Sequence, residues 1–387
     1  MIRSNSFAIL IGDGAEEELR RRTPKVDRYC KKREIGRSDI FGVDQEPGAE
    51  VAMAVLSTDG GSTLPLVHGF LQGEAESHRG EFSLLAFDKD GYVAERDVLG
   101  TRQLFVRRGR FTGVASDFRF FDSDLEDLIP PGVRYSVPSG PTSERRLAPS
   151  IKWDSLGEAA SELARLIDKS TRDRVEHCDK IAVAFSGGLD SSLLAHCSAR
   201  HTKVTLCSVY AKGSKDERGS ARAAERLGLE LVTREVDAED VRNELNSLRL
   251  PFAPSSMDKA LWCIYSIAGR MARESNADVL LLGQLADELF GGYLKYALEL
   301  QREGVEAARA MMEGDVWACS RRGFIRDETA SSKWIEPRFP FAEEEIVRLA
   351  LGLPTDYKIA HGERKRVLKL AALELGVPEE LVTTPKK

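Results

Sequence analysis

The sequence has 387 residues, of which 42% are hydrophobic and 30% charged, a composition typical of a globular protein with two or three domains. It carries 56 Lys and Arg against 62 Asp and Glu, and the resulting net charge of -6 argues against a general nucleic-acid-binding protein. No apolar run reaches the length of a membrane helix, so we expect a cytoplasmic protein with no membrane partner.

The cysteines follow neither a disulfide pattern nor a metal-binding pattern. No two of them form a C-x-x-C pair, and no histidine stands at zinc spacing from them. We therefore expect reduced, mostly buried thiols, as in cytoplasmic proteins. The six positions are Cys30, Cys178, Cys197, Cys207, Cys263 and Cys319.

Residues 1–137 contain short apolar runs separated by Gly, Asp and Pro. The runs FAILIG, VAMAVLS, EFSLLAFD and GYVAERD predict strands with tight turns between them, and hence a mainly β or α+β domain. The following stretch, VPSGPTSERRLAPS, is rich in Pro and Ser and poor in apolar residues. We expect a linker over residues 138–154.

The pattern changes at Ser155, where a serine followed three residues later by Glu158 indicates the start of a helix. From there, apolar strands such as KIAVAFS, KVTLCSVY and ADVLLLG alternate with segments of helical periodicity. This alternation predicts an α/β domain over residues 155–387, built on a doubly wound parallel sheet.

The first of these strands ends in the sequence S-G-G-L-D-S-S, residues 186–192. Glycines let backbone N–H groups approach an anion closely, and the start of a helix adds positive partial charge. Serine hydroxyls offer further donors to a phosphate, and Asp190 suits a Mg²⁺ ion placed between carboxylate and phosphate. The string lacks the P-loop lysine, so it does not predict a Walker-type site.

A second strand, ADVLLLG, is followed by QLADELFGGYLKY. Because ligands bind beyond the carboxyl ends of parallel strands, Asp287 is a candidate second carboxylate for the same metal. An ordinary acidic start of a helix is the alternative interpretation, since the helix dipole favours acidic residues there.

These motifs carry a family resemblance. S-G-G-L-D-S-S resembles the pyrophosphate loop of the ATP pyrophosphatases, whose members cut ATP between its α and β phosphates. D-E-L-F-G-G-Y is similar to the asparagine synthetase family, as are the segments E-P-R-F-P-F at residues 336–341 and G-E-R-K-R-V-L-K-L at residues 362–370. The resemblance covers roughly residues 155–387 and implies an adenine-nucleotide α-hydrolase-like domain that uses ATP and Mg²⁺.

The resemblance also implies roles for single residues. Asp190 and Asp287 would hold Mg²⁺, Lys365 would stabilise charge near the adenylate, and Arg338 is a weaker candidate for a substrate or phosphate contact. The residues expected to bind the nucleotide are Ser186, Gly187, Gly188, Asp190, Ser191, Ser192 and Gly283.

The N-terminal half resembles the family's class II glutaminase, an α+β Ntn-hydrolase-like domain. The similar stretch is GEFSLLAFDKDGYVAERDVLGTRQLFV, residues 80–106. That glutaminase uses a cysteine at the mature N-terminus, whereas this sequence has Ile2 there and contains no H-R-G-P-D or N-G-E-I segment. We expect the fold of residues 1–137 to be retained and glutamine hydrolysis to be lost.

A second departure lies in the family pattern G-E-G-x-D-E, where Gln284 replaces the first glutamate. A carboxamide forms hydrogen bonds but cannot act as a base. The β-lactam and carbapenam synthetases also differ at this position and lack the N-terminal cysteine. The expected substrates are therefore a small-molecule carboxylate, aspartate or another acid, together with ammonia or an amine.

The expected function is an AMP-forming amide ligase, in which Lys365 and Gln284 are the candidate catalytic residues. A homodimer and a separate source of ammonia are the partner arrangements considered. Two alternatives stay open: an ATP pyrophosphatase that modifies tRNA or a nucleobase, and a non-catalytic regulator that binds nucleotide.

Overall fold

The computed structural model describes residues 2–4, 6–11, 15, 17–21, 38–46, 49–56, 66–72, 78–88, 91–150, 153–214 and 216–383. The chain forms two compact units. The first comprises Met1–Arg146 with the short segments Arg249–Pro254 and Ser320–Ile325, and the second comprises Leu147–Leu248, Ser255–Cys319 and Arg326–Lys387. Within the described residues, no helix has both the length and the apolar character needed to cross a membrane.

The first unit contains two antiparallel sheets. Their strand orders are β1-β5-β6-β7-β10-β11 and β3-β4-β2-β9-β8. The strands are β1 (Ile2–Ser4), β2 (Ser6–Ile11), β3 (Ser38–Glu46), β4 (Ala49–Leu56), β5 (Leu66–Gln72), β6 (Arg79–Asp88), β7 (Gly91–Arg96), β8 (Phe105–Arg107), β9 (Thr112–Ala115), β10 (Val133–Val137) and β11 (Gly140–Glu144). The four strands predicted from the apolar runs are confirmed as β2, β4, β6 and β7.

Both faces of strand β2 are buried. Phe7 and Ile9 belong to a core cluster that also contains Leu85 of the other sheet, so side chains of the two sheets pack together. Ala8 and Leu10 belong to a second cluster on the opposite face of β2, as expected when successive side chains of a strand alternate. A continuous apolar run is the sequence pattern that this double burial requires.

The turn after β7 is held by the fully buried guanidinium of Arg96. It donates to the carbonyl oxygens of Arg102 and Ile129 at 2.7 Å and of Gly100 at 2.8 Å. The neighbouring Asp97 carboxylate accepts from backbone N–H groups of the same turn, including that of Arg102 at 3.1 Å. The R-D-V-L-G stretch of the sequence therefore shapes a turn inside this unit.

The stretch expected as a linker is partly regular structure. Gly140–Glu144 forms strand β11, which pairs antiparallel with β10. Its outward side chains are exposed, so the strand carries little of the apolar signal by which sequence analysis recognises strands.

The second unit is built on a five-stranded parallel sheet of order β14-β13-β12-β15-β16, which confirms the predicted parallel sheet. Its strands are β12 (Lys180–Ala184), β13 (Lys203–Ala211), β14 (Glu230–Val236), β15 (Val279–Leu281) and β16 (Glu336–Arg338), and a separate hairpin is formed by β17 (Ile359–Ala360) and β18 (Glu363–Arg364).

Helices alternate with these strands and dominate the last third of the chain. They are α1 (Leu156–Val175), α2 (Leu189–Ser198), α3 (Asp216–Leu227), α4 (Ala238–Asn246), α5 (Ser256–Glu274), α6 (Ala286–Phe290), α7 (Leu294–Glu303), α8 (Val305–Ala318), α9 (Phe324–Ser331), α10 (Glu344–Gly352), α11 (Thr355–Lys358), α12 (Arg366–Glu374) and α13 (Glu379–Thr383). A π-helical turn, Cys319–Gly323, lies between α8 and α9. Ser155 caps α1 by accepting from the Glu158 N–H, as the sequence predicts.

The order of the strands indicates where a ligand can bind at the edge of the sheet in the second unit. From β12 the chain adds β13 and β14 on one side, then returns to add β15 and β16 on the other. The crevice between β12 and β15 is therefore the switch point of the sheet, where open α/β sheets bind ligands at the carboxyl ends of the strands. Both motifs singled out from the sequence follow these two strands.

Candidate active site

The loop after β12 presents the N-terminus of α2. Gly187 has a φ of 72°, in the left-handed region that glycine adopts without strain. Gly188 is the N-cap of α2, and no side chain caps this end of the helix. Backbone N–H groups at an uncapped helix N-terminus, together with the helix dipole, attract an anion such as phosphate.

The serine hydroxyls of this loop play different parts. Buried Ser191 accepts from the Ser186 N–H at 3.3 Å and donates to the Gly188 carbonyl at 3.2 Å, so it fixes the loop. The Ser186 side chain is exposed and accepts from the Gly188 N–H at 3.3 Å. Ser192 is fully buried, and within the described part of the chain its Oγ has no hydrogen-bond partner. A buried hydroxyl of this kind is suited to a ligand or a bound water.

Three charged residues meet at the crevice between β12 and β15. The Lys365 ammonium lies 2.5 Å and 2.6 Å from the two oxygens of Asp190 and 2.6 Å from Oδ1 of Asp287. The side chains are 8%, 15% and 12% exposed, respectively. Burial lowers the pKa of Lys365, but attraction to Asp190 and Asp287 outweighs it and holds the pKa above its ordinary value. Lys365 is therefore a charged amine at neutral pH.

Glycines allow these three side chains to come together. A Cβ atom on Gly292 would overlap Oδ1 of Asp287 and Cε of Lys365, and one on Gly283 would lie 3.3 Å from Cβ of Asp190. Because side chains approach the backbone closely at Gly283 and Gly292, a residue without a Cβ atom is favoured at both positions. Of these, Gly283 was predicted as a site residue, and Gly292 belongs to the G-G-Y run of the same motif.

The two carboxylates fit a divalent cation. Both converge on a single point, which the Lys365 ammonium occupies as a stand-in cation. Among the described residues no group of three or more His, Cys, Asp or Glu side chains could hold a metal. Two carboxylates with the remaining ligands from phosphate and water is the usual arrangement for Mg²⁺ at nucleotide sites. The two carboxylates would thus supply two of the ligands of such an ion.

Gln284 lies at the start of the same acidic segment. Its Nε2 donates to Sγ of Cys319 at 3.6 Å, and Cys319 is buried in the π-helical turn. No sequence pattern links these two residues, because they are separated by 35 positions and Cys319 carries no local motif. Nearby, the buried Glu288 carboxylate accepts from the Tyr293 hydroxyl at 3.0 Å, and burial raises the pKa of Glu288.

The backbone next to Gln284 is strained. Leu285 has a φ of 81° and is only 1% exposed, although a leucine rarely adopts the left-handed conformation. In the pattern G-E-G-x-D-E this is the position of the second glycine. Strained backbone of this kind concentrates at functional sites, where the surrounding structure maintains it.

Arg338, the last residue of β16, has its partners inside the fold. It is fully buried, its Nε donates to Glu336 at 2.9 Å, and its Nη1 donates to the Arg174 carbonyl. Arg174 in turn pairs with Glu343 at 3.0 Å. These contacts give the Arg338 guanidinium partners inside the fold, and its expected contact with substrate or phosphate stays a prediction.

The family model described as "Asparagine synthase" matches residues 162–322 and 301–387. A putative asparagine synthetase [glutamine-hydrolyzing] 1 of Methanocaldococcus jannaschii is 26% identical over 325 residues, covering 76% of this chain and 60% of that protein. An asparagine synthetase [glutamine-hydrolyzing] of Asparagus officinalis is 26% identical over 341 residues, covering 79% and 55%. The chain thus spans little more than half the length of these relatives.

Among solved structures, the U34-tRNA thiolase NcsA from Methanococcus maripaludis is similar over 58% of this chain and 77% of that chain, with 17% identity and a TM-score of 0.31. That score is too low to support an inference. The family model, in contrast, covers the sheet, the loop after β12 and the segment that carries Lys365. Because its two matches together run from residue 162 to residue 387, the chain belongs to the asparagine synthase family.

Proposed function

We propose that the chain is an ATP-dependent amide ligase that forms AMP and pyrophosphate. It would adenylate a carboxylate, aspartate or another acid, for attack by ammonia or an amine. The observation that carries the proposal is the meeting of Lys365 with Asp190 and Asp287 at the switch point of the sheet, beside a loop suited to phosphate. Membership of the asparagine synthase family supports it.

In the first half-reaction a carboxylate oxygen of the substrate forms a bond to the α-phosphorus of ATP. The bond from that phosphorus to the bridging oxygen breaks, and pyrophosphate leaves. The N-terminus of α2 and the hydroxyl of Ser186 would hold the leaving pyrophosphate. Lys365 would stabilise the negative charge that develops on the α-phosphate oxygens.

Asp190 and Asp287 would hold Mg²⁺, which supplies neutralisation of the phosphate charge when bound. The long, flexible stem of the Lys365 side chain would let its amine reach the α-phosphate. Ser191 would keep the loop in shape through its bonds to Ser186 and Gly188. Gly283 and Gly292 would leave room for this arrangement.

In the second half-reaction the nitrogen of ammonia or an amine attacks the acyl carbon, the bond from that carbon to the AMP oxygen breaks, and AMP leaves with the bonding electrons while the nitrogen gives up one proton to water. Gln284 has no group that can accept a proton at neutral pH, so we assign it a positioning role. Its Nε2 is directed at Cys319, which leaves the carboxamide oxygen as the acceptor for an incoming N–H.

For the first unit we propose a class II amidotransferase-like domain that does not hydrolyse glutamine. Two features support it: the pair of antiparallel sheets with a shared core, and the turn organised by Arg96 and Asp97. Ammonia or the amine would then come from solution or from another protein. We propose Arg96 and Asp97 as structural residues of this unit.

The test is pyrophosphate release from Mg-ATP with a panel of carboxylic acids, with and without ammonium. Release that requires both an acid and a nitrogen nucleophile, with AMP as coproduct, supports the proposal. Asp190→Ala should abolish release, while Asp168→Ala, a surface carboxylate paired with Arg200, should leave it unchanged. Release that requires tRNA or a nucleobase would favour a modifying enzyme, and ATP binding without release under any condition would favour a regulator.

A further inference from the structure

We propose that Lys365 and a divalent metal ion are alternative occupants of one site between Asp190 and Asp287. Metal binding then releases the Lys365 amine, which becomes free to contact the substrate phosphate. The inference rests on the proposed function for the identity of that phosphate. The competition itself concerns only this chain and the metal.

The geometry allows one cation at a time. Nζ of Lys365 lies within 2.6 Å of oxygens of both carboxylates, so it takes up the side of each carboxylate that faces the other. A metal ion bound to the same oxygens would take up the same space between the two carboxylates. Two cations so close would repel each other strongly in a buried site.

Charge balance favours the exchange. Two carboxylates facing one ammonium leave a net charge of about −1 in a site where all three side chains are largely buried. A divalent ion neutralises both carboxylates. The single positive charge of Lys365 therefore leaves one carboxylate charge uncompensated, whereas a divalent ion compensates both.

The backbone around Lys365 is held in place, so the Lys365 side chain can move while its Cα atom stays fixed. Lys365 itself has a φ of 57° and follows a tight hairpin whose turn residues, His361 and Gly362, have φ values of 54° and 78°. The neighbouring Arg364 guanidinium donates to the Gly292 carbonyl at 2.5 Å, which ties the hairpin to the Asp287 segment. The flexible four-carbon stem of a lysine can then carry Nζ to a new partner without backbone movement.

The competition is tested with Mn²⁺ as the probe, in the absence of nucleotide, by following free Mn²⁺ with electron paramagnetic resonance. Lys365→Met should bind Mn²⁺ roughly tenfold more tightly than the wild type, because no ion pair has to be broken. The matched control is Lys369→Met in α12, the helix that directly follows Lys365; the Lys369 ammonium pairs with Glu363 at 2.8 Å. It should bind Mn²⁺ as the wild type does.

Asp190→Asn and Asp287→Asn should each weaken Mn²⁺ binding in both the wild-type and the Lys365→Met background. Equal Mn²⁺ affinity of wild type and Lys365→Met would overturn the proposal. Mn²⁺ binding that is insensitive to Asp190→Asn would also overturn it, because the metal would then lie elsewhere.

A measurement on the wild-type protein covers the case in which Lys365→Met does not fold. Amine acetylation followed by mass spectrometry should show Lys365 protected without metal and several-fold more reactive with Mg²⁺, while Lys369 stays unchanged. Reactivity of Lys365 that is unchanged by Mg²⁺ contradicts the proposal. Neither experiment depends on turnover, so failure of the ligase assay and failure of the competition are distinguishable.

Discussion

Gly292 is the residue on which the contact between Asp287 and Lys365 depends most directly. Gly292→Ala places a methyl group where Oδ1 of Asp287 and Cε of Lys365 lie. We expect turnover to fall by about 100-fold, since displacing catalytic groups by an ångström has effects of this size. The overpacking should also cost about 1–3 kcal/mol of stability. Pyrophosphate release and urea unfolding measure the two effects.

Gly314→Ala is the matched control for this substitution. Gly314 lies within α8, is exposed, and has open space where its Cβ would be. The same chemical change should leave turnover unaffected and stabilise the protein by up to about 1 kcal/mol through helix propensity. Equal turnover of the two variants would contradict the role given to Gly292.

Lys358, which is outside the candidate active site, makes a contribution to the stability of the protein that depends on pH. Burial lowers its pKa to about 8 from the ordinary value of 10.5, despite the opposing attraction of Glu313. The native protein therefore prefers a neutral amine. Between about pH 8 and 10.5 the unfolded chain binds more protons than the native protein, so this residue makes stability rise with pH. Below pH 8 both states are protonated and the cost of burying the charge is fully present.

Lys358→Met should remove that cost. We expect the free energy of unfolding at pH 7 to rise by up to about 3 kcal/mol, and the rise in stability between pH 8 and 10.5 to become smaller than in the wild type. Urea unfolding at pH 7, 9 and 10 measures both effects. Lys369→Met, which removes a partly exposed lysine paired with Glu363, should leave the pH dependence as it is. A slope unchanged by Lys358→Met would show that Lys358 is charged throughout this range.

At the scale of elements, the start of α6 shows how the burial of a side chain can offset local backbone strain. Leu285 adopts φ of 81° while its side chain is buried, so the fold gains the burial of a leucine at the expense of backbone strain. Leu285→Ala keeps the strain and loses packing, whereas Leu285→Gly loses packing and the strain together. The glycine variant should therefore be more stable than the alanine variant by about 1 kcal/mol.

Thermal unfolding of the two Leu285 variants measures that difference directly. At most buried positions glycine is the less stable of the two, because it loses more conformational freedom on folding. The reversed order is therefore specific to a left-handed backbone. An alanine variant as stable as the glycine variant would contradict the conformation assigned to Leu285.

Elements with strong patterns were predictable, and elements held by tertiary contacts were not. Strands β12, β13 and β15 are short apolar runs, and Ser155 supplies a cap that marks the start of α1. Strand β11 was missed because its side chains are exposed and its stability comes from hydrogen bonds to β10. The hairpin before Lys365 was missed because each of its strands has only two residues.

At the scale of the whole molecule, the two units correspond to two kinds of sequence pattern: short strands between turns, and strands alternating with helices. We expect no glutamate from glutamine, since Cys30 is the only cysteine in residues 1–146 and no glutamine-binding motif accompanies it. An enzyme-coupled glutamate assay with Mg-ATP present measures this. Glutamate production abolished by Cys30→Ala would assign a glutaminase to the first unit.

Sequence patterns were enough to predict the parallel α/β unit, the loop proposed to bind phosphate and the family. These depend on local features: hydrophobic period, glycines and hydroxyls at a strand end, and a short acidic motif. The sequence also predicted that Asp190 and Asp287 lie at the same edge of the sheet, because both follow parallel strands.

Which cation faces these carboxylates depends on contacts between distant parts of the chain. Lys365 lies 175 residues beyond Asp190 in the sequence, and a left-handed backbone with a glycine opposite brings its amine into the site. The partnership of Gln284 with Cys319 and the burial of Arg338 were likewise settled by packing. Sequence patterns predict the local structure that a segment forms with its neighbours along the chain. The position of a side chain in the fold depends instead on contacts between distant segments.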